Sequence, residues 1–419
     1  MNKKSIFTIG LIIYLIIVFS TEIIYRERLY KFSVEYIDKI DQDGLFHKIS
    51  YFWSFIFFYL MQIIGIYITL FFYPITVGYC HISLEVIMVC IIFLFKSVYT
   101  SPRPYWDIYI KRQEDATEKL RPPTECDPEF GNPSGHTFLS TYLLILWNLF
   151  INSKFIKDME GRKKIFIKYI TFILSLICIG IVAYSRINRQ VHSFNQILLG
   201  FLLGCSTFFL FCYILELNTV NADTFMEALD KYKFILLPIF ILFFALSVIL
   251  GFTRHNKNEE KYQKILQLYC DIANKDEMFG KLSATFSSIL FIVIGGYLGL
   301  LFLKYKIVNI YPDQKILFYN WNKTKFIKKI IISLFSVLLP SIVFIPAYFV
   351  PIKYYLIKLF LIALCCFFYG FCLFGFNLYY GCVLFKLPKT EESLLENSEN
   401  TNINSNGIES INENNSDQI

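Results

Sequence analysis

Ten apolar runs constrain this chain more than any other feature of its sequence. They fall at about Ser5–Ile24, Ser50–Phe72, Ile75–Val98, Phe138–Ile151, Tyr169–Tyr184, Ile197–Ile214, Phe234–Phe252, Leu282–Leu303, Ile330–Val350 and Leu356–Phe385. A helix of about 20 apolar residues crosses a hydrocarbon layer, and inside that layer every backbone polar group must be satisfied within the protein. The pattern therefore predicts an all-α, polytopic transmembrane helical bundle of about ten spans. Composition agrees, with 55% hydrophobic and only 17% charged residues among 419. An ordinary soluble domain carries more charge.

The formal charge is +7. The segment Lys389–Ile419 holds seven acids against one lysine, so the basic excess lies in the rest of the chain, mostly in short loops between apolar runs. Such an excess orients spans rather than binding nucleic acid. The densest loops, Lys154–Lys168 and Lys304–Lys329, are expected in the cytosol. Counting spans from them puts Met1 and the tail there too. The loops carrying Arg103, His136, Arg186 and His192 then share the opposite, lumenal or external face. Val18-Phe19-Ser20 would tolerate signal cleavage, but a retained first helix is the preferred reading. Tyr25–Lys48 is polar enough to lie along the interface, and the Asn/Ser/Glu-rich tail lacks the apolar surface to fold.

Within that frame one stretch is chemically loaded, Gly131-Asn132-Pro133-Ser134-Gly135-His136-Thr137. Pro133 suits a helix entry and Ser134 an N-cap. The unpaired N–H groups of such a helix start favour an oxyanion, and His136 adds a proton donor or acceptor near neutral pH. Most of the 11 cysteines lie in apolar runs, where they act as small hydrophobes. Cys126 and Cys270 fall in polar loops; they are expected unpaired, although an oxidising face would permit a disulfide. No Cys/His spacing suggests zinc. His47, His81 and His255 read as structural or merely solvated.

Three segments now combine: Lys96-x6-Arg103-Pro104, Pro133-Ser134-Gly135-His136, and Ser185-Arg186-x5-His192. In order and spacing this resembles the three-part signature of the phosphatidic acid phosphatase type 2 (PAP2)/haloperoxidase superfamily, over roughly residues 50 to 215. Arg103-Pro104-Tyr105-Trp106 and the stretch from Glu125 to His136 are similar to the glucose-6-phosphatase branch. The resemblance implies a PAP2-type helical core and a phosphatase needing neither metal nor cofactor. It implies His192 as a nucleophile forming phosphohistidine and His136 as general acid and base. Lys96, Arg103, Ser134, Gly135 and Arg186 would then bind phosphate, the last two motif positions through their backbone N–H groups in the case of Ser134 and Gly135. The superfamily commonly has Asp four residues after the nucleophile; here Gln196 stands there, able to orient the imidazole but without charge. The glucose-6-phosphatase branch is similar in this.

The expected organisation is an N-terminal helix and interfacial segment (1–48), a PAP2-like catalytic core (49–216), additional C-terminal spans (217–388) and a disordered cytosolic tail (389–419). The expected substrate is a lipid phosphate of phosphatidate or sphingoid-base type, reached from the bilayer. A sugar phosphate such as glucose 6-phosphate is the alternative, favoured by Tyr105-Trp106 and Gln196, and a transporter or scaffold that kept the motif by descent is a third reading. Partners are membrane lipids and not nucleic acid, and an endomembrane such as the endoplasmic reticulum is the expected location. Sidedness is testable. A glycosylation sequon placed between Lys111 and Glu125 should be modified, while Asn322-Lys323-Thr324 and Asn414-Asn415-Ser416 stay bare. Glycan on Asn322 and none on the introduced site would invert the topology.

Overall fold

The computed structural model describes residues 3–40, 44–72, 75–114, 123, 125–154, 156, 159–217, 222–272, 278–310, scattered positions between 327 and 344, and 355–376. Everything regular in these residues is helical. The elements are α1 (Lys3–Ile37), α2 (Leu45–Tyr51) running through a π-helical turn into α3 (Phe58–Phe72), α4 (Ile75–Tyr99), α5 (Pro104–Glu114), α6 (Gly135–Lys154) and α7 (Gly161–Asn188). They continue with α8 (Phe194–Leu217), α9 (Ala222–Thr253), α10 (Glu259–Cys270), α11 (Phe279–Ser287), α12 (Leu290–Ile310) and α13 (Tyr355–Phe371). Among the described residues seven helical stretches are long and apolar enough to cross a membrane, and Leu237–Thr253 is a shorter apolar helix. The predicted ninth run, Ile330–Val350, lies largely outside the described residues, as does the tail.

Hydrophobic burial does not drive helices together in lipid, so close packing must. Two seams show how. On α8, a Cβ added to Gly200 would lie 2.5 Å from Ser134 O, and one on Gly204 would lie 2.7 Å from Phe138 O. These bare positions let α8 press against the start of α6. On the other side, Gly299 of α12 meets Gly375, just past α13, where an added Cβ would come within 2.5 Å of Gly299 O. The chain past α13 forms a π-helical turn over Cys372–Phe376. Large apolar side chains such as Ile13, Ile16, Phe166 and Ile173 remain exposed on α1 and α7, as a lipid-facing surface requires.

Three expectations change. Helix α1 does not stop at Ile24. It runs to Ile37 because its polar half finds partners: Tyr30 Oη donates to Asp107 Oδ2 at 2.7 Å, and Arg112 Nη2 pairs with Asp38 Oδ1 at 2.7 Å. Its apolar half packs on α8, where Tyr14 Oη donates to Leu202 O at 3.0 Å. Second, the polar stretch after Arg103 contains α5, which starts with Pro104 in its first turn and ends with Lys111 and Arg112 in its last, both favourable to a helix. The amphipathic α10 buries Tyr262, Ile265 and Leu266 against it. Third, Cys126 and Cys270 are joined as a disulfide. His47 and His81 are buried, and His255 is exposed.

The close approach at Gly200 gives a direct test. Gly200→Ala should destabilise by about 1–3 kcal/mol, since backbone must shift. Gly180→Ala on α7 has open space around the added methyl and should be neutral or slightly stabilising, by up to about 1 kcal/mol. Thermal unfolding of both in the same detergent compares them directly; equal midpoints would mean α8 does not need the bare position.

Candidate active site

The three motifs meet at one end of the bundle. Lys96 ends α4, Arg103 sits in the turn before α5, His136 is in the first turn of α6, Arg186 is in the last turn of α7, and His192 and Gln196 flank the start of α8. Lys96, Arg103, Arg186, His192 and Gln196 are buried, and His136 is half-buried.

Helix α6 begins as its sequence suggests. Phe138 N–H donates to Ser134 O at 3.1 Å, and Ser134 Oγ lies 3.1 Å from Thr137 Oγ1 and 3.5 Å from Thr137 N. One expectation fails here. Ser134 N–H is already committed to Gln196 O at 2.9 Å, because α8 presses so closely against this loop. Ser134 therefore caps the helix and ties it to α8 rather than offering a free N–H; Gly135 remains at the open helix start. His136 lays its ring on Phe58, centroids 4.1 Å apart.

The imidazole of His192 has a defined tautomer. Gln196 Nε2 donates to Pro102 O at 2.9 Å, so the amide orientation is set and its Oε1 is an acceptor. That oxygen receives Ser193 N–H at 3.2 Å and faces His192 Nδ1 at 3.1 Å. Nδ1 must then carry the proton and Nε2 the lone pair. Nε2 lies 3.4 Å from Arg103 Nη1. Burial first, and then the charges of Arg103, Arg186 and Lys96, hold the His192 imidazole well below its ordinary range, so it is neutral. Gly131 is bare for the same assembly: a Cβ there would meet Gln196 Nε2 at 2.5 Å.

Motif analysis does not reveal what faces the three cations. One irregular segment supplies a carboxylate to each. Lys96 Nζ pairs with Glu129. Arg103 Nη2 stands 2.6 Å from Asp127 Oδ2, while its Nε donates to Glu129 O at 2.6 Å and its Nη1 to Val191 O at 3.0 Å. Arg186 grips Glu125 through both Nη2, at 2.7 Å, and Nη1, at 3.1 Å, and Ser54 Oγ accepts a further bond at 2.8 Å. Arg189 Nε adds to Glu125 at 3.3 Å. Burial raises the Asp127 carboxyl, but Arg103, Lys96 and Arg186 outweigh it and hold the group below its usual range. At Glu129 burial prevails over Lys96, and the carboxyl is held above its usual range. The alternation Glu125, Asp127, Glu129 was visible in the sequence and was the available signal. Tyr105 and Trp106 belong to an aromatic cap with Phe130, Tyr262 and Phe279, Trp106 lying 5.0 Å from Tyr262 and wholly buried.

A cluster of buried cations around an oriented histidine, at one end of the bundle, has the charge and donors to hold a tetrahedral oxyanion. Residues 77–220 match the model of the PAP2 superfamily. No curated protein and no solved structure matches the chain.

The tautomer can be read directly. In protein with 15N-labelled imidazoles, His192 should show the Nδ1–H form and fail to titrate through about pH 6.5. Gln196→Leu should remove that preference. A wild-type His192 midpoint near the ordinary value would overturn the arrangement.

Proposed function

We propose that this chain is an integral-membrane phosphomonoesterase that works through a phosphohistidine on His192, with a lipid phosphate as substrate. The observation that carries the chemistry is the locked tautomer: Gln196 holds Nδ1–H and so places the lone pair on Nε2, 3.4 Å from Arg103 Nη1. Nε2 attacks phosphorus as the bond to the leaving oxygen breaks, and His136, held toward its neutral form at rest by burial and then by Arg186, Lys96 and Arg103, takes up a proton as the phosphate dianion binds and gives it to that oxygen. Neutral His136 then takes a proton from water, whose oxygen attacks phosphorus and breaks the P–N bond. Inorganic phosphate and the regenerated acid remain. Lys96, Arg103, Arg186 and the Gly135 N–H stabilise the equatorial oxygens in both steps. The incoming phosphate takes over the place that Asp127 holds at rest beside Arg103.

The lipid reading is supported by an apolar cavity of about 210 Å³ between α1, α4, α6 and α8. Its lining includes Phe95, next to Lys96, and Phe138, two residues past His136, and continues to Met88 and Leu210. Such a channel suits an alkyl chain whose headgroup sits at the site. The burial of Tyr105 and Trp106 in the cap removes one argument for a sugar phosphate. The Cys126–Cys270 disulfide beside the site supports a lumenal or external active site, since disulfides persist in oxidising compartments. An endomembrane such as the endoplasmic reticulum fits that sidedness.

Purified protein should hydrolyse phosphatidate faster than glucose 6-phosphate; the reverse order would favour the sugar phosphatase, and no turnover of either a non-enzymatic role. His192→Ala should abolish turnover and phosphoenzyme, whereas His136→Ala should slow leaving-group release yet still bind vanadate. Arg103→Lys and Arg186→Lys keep charge but lose the planar fork, and should lose on the order of tenfold or more in kcat/KM. Undiminished labelled phosphoenzyme in His192→Ala would refute the assignment of the nucleophile.

A further inference from the structure

Helix α1 lies outside the segment that matches the PAP2 superfamily, yet it touches all three motif loops. Glu22 Oε1 accepts Asn132 Nδ2 at 3.1 Å, one residue before Pro133-Ser134-Gly135-His136. Ser33 Oγ accepts Phe194 N–H at 2.9 Å, two residues past His192. Ile37 O receives Gln190 Nε2 at 3.4 Å, in the turn between Arg186 and His192. On the side of Lys96, Arg26 lies over the Tyr99 ring at 5.2 Å.

Glu22 is the most telling of these contacts. It is fully buried where the apolar half of α1 gives way to its polar half, and a buried carboxylate is costly unless it is paired. Its charge is met by Arg26 one turn along, at 3.7 Å, and its hydrogen bond goes to the side chain that opens the phosphate-loop motif. Asn132 is itself fully buried, so the pair is sheltered from water and strong for its kind. Nothing in the proposed chemistry uses either residue directly.

We propose that Glu22 of α1 is a positioning residue: through Asn132 it fixes the loop that presents Gly135 and His136 to the substrate phosphate. The inference rests on the phosphatase reading for its effect on turnover, but the placement of the loop can be measured without it. A catalytic group displaced by about an ångström loses on the order of a hundredfold in rate, so even partial loosening of this loop is visible.

The experiment uses the full-length protein in detergent, with inorganic vanadate as the phosphate-like probe. Glu22→Leu should weaken vanadate binding and lower kcat by on the order of tenfold or more, and should speed hydrogen–deuterium exchange in peptides covering residues 130–138. Glu22→Gln keeps an acceptor for Asn132 and should stay within a few-fold of wild type. Asn132→Asp sets two carboxylates against each other and should resemble Glu22→Leu. Combining it with Glu22→Gln restores an amide–carboxylate pair with donor and acceptor exchanged, and should recover vanadate affinity. That rescue is not expected of a residue that only packs, and it keeps the test informative if Glu22→Leu fails to fold. Unchanged exchange and vanadate affinity in Glu22→Leu, or no recovery in the double variant, would overturn the proposal. A wild-type protein that neither binds vanadate nor turns over substrate would instead sink the phosphatase reading, and exchange in residues 130–138 would still decide the role of Glu22.

Discussion

Lys96, Arg103 and Arg186 are buried cations, and the arrangement of the whole site follows from how their charge is met. Each stands against one carboxylate of the segment Glu125 to Glu129. Removing one partner of a buried pair leaves an uncompensated charge and typically costs about 3–5 kcal/mol. That constraint pins the segment in place. Arg103 is the hub, reaching Glu129 O, Asp127, Val191 O and the edge of His192 at once. The cap then has a fixed floor to build on. Tyr105 Oη donates to Asp127 O, Cys126 is tied to Cys270 at the end of α10, and Trp106 packs between Phe130, Phe279 and Tyr262.

Below the cap the constraint passes from charge to contact distance. Ser134 N–H reaches Gln196 O because Gly200 lets α8 approach, and Gln196 can orient His192 because Gly131 leaves room for its amide. The loop before α6 and His192 are thus parts of one hydrogen-bonded joint between α6 and α8. Helix α1 closes the joint from outside through Glu22, Ser33 and the carbonyl of Ile37. A helix bundle with polar work at one end keeps its other surfaces apolar, which is why α1 and α7 expose so many isoleucines and phenylalanines.

What could be read from the sequence was whatever is local. Apolar runs betray spans without any knowledge of partners, and the three motifs announce themselves because their chemistry needs fixed residue types at short spacing. The short helices α5 and α10 were harder. Their apolar faces are brief, and each is stable chiefly through packing on the other. Long-range partners were not legible at all: Glu22 and Asn132 are 110 residues apart, and Cys126 and Cys270 are 144 apart. The commitment of Ser134 N–H to Gln196 O is a main-chain contact, and no side chain in the motif advertises it. Trp106 misled for the opposite reason. Its position in the motif suggested substrate, while its indole had a core to fill.

The two central carboxylates are not equivalent, and the difference bears on how an anion could enter so crowded a site. Asp127 is held below the usual carboxylate range by Arg103, so its ionised form is the stable one and it can yield the arginine only by moving away. Glu129 is held above that range by burial, so its ionised form is the costly one. A dianion approaching Lys96 would raise that cost further, since like charges in a desolvated pocket disfavour ionisation. Glu129 could then keep its place by binding a proton, whereas Asp127, a quarter exposed at its side chain, has solvent to retreat into. Arg103 Nε would stay bonded to Glu129 O throughout, because that contact is to the main chain and carries no charge to be repelled. The guanidinium would therefore keep its orientation toward His192 while one of its ionic partners is exchanged for another.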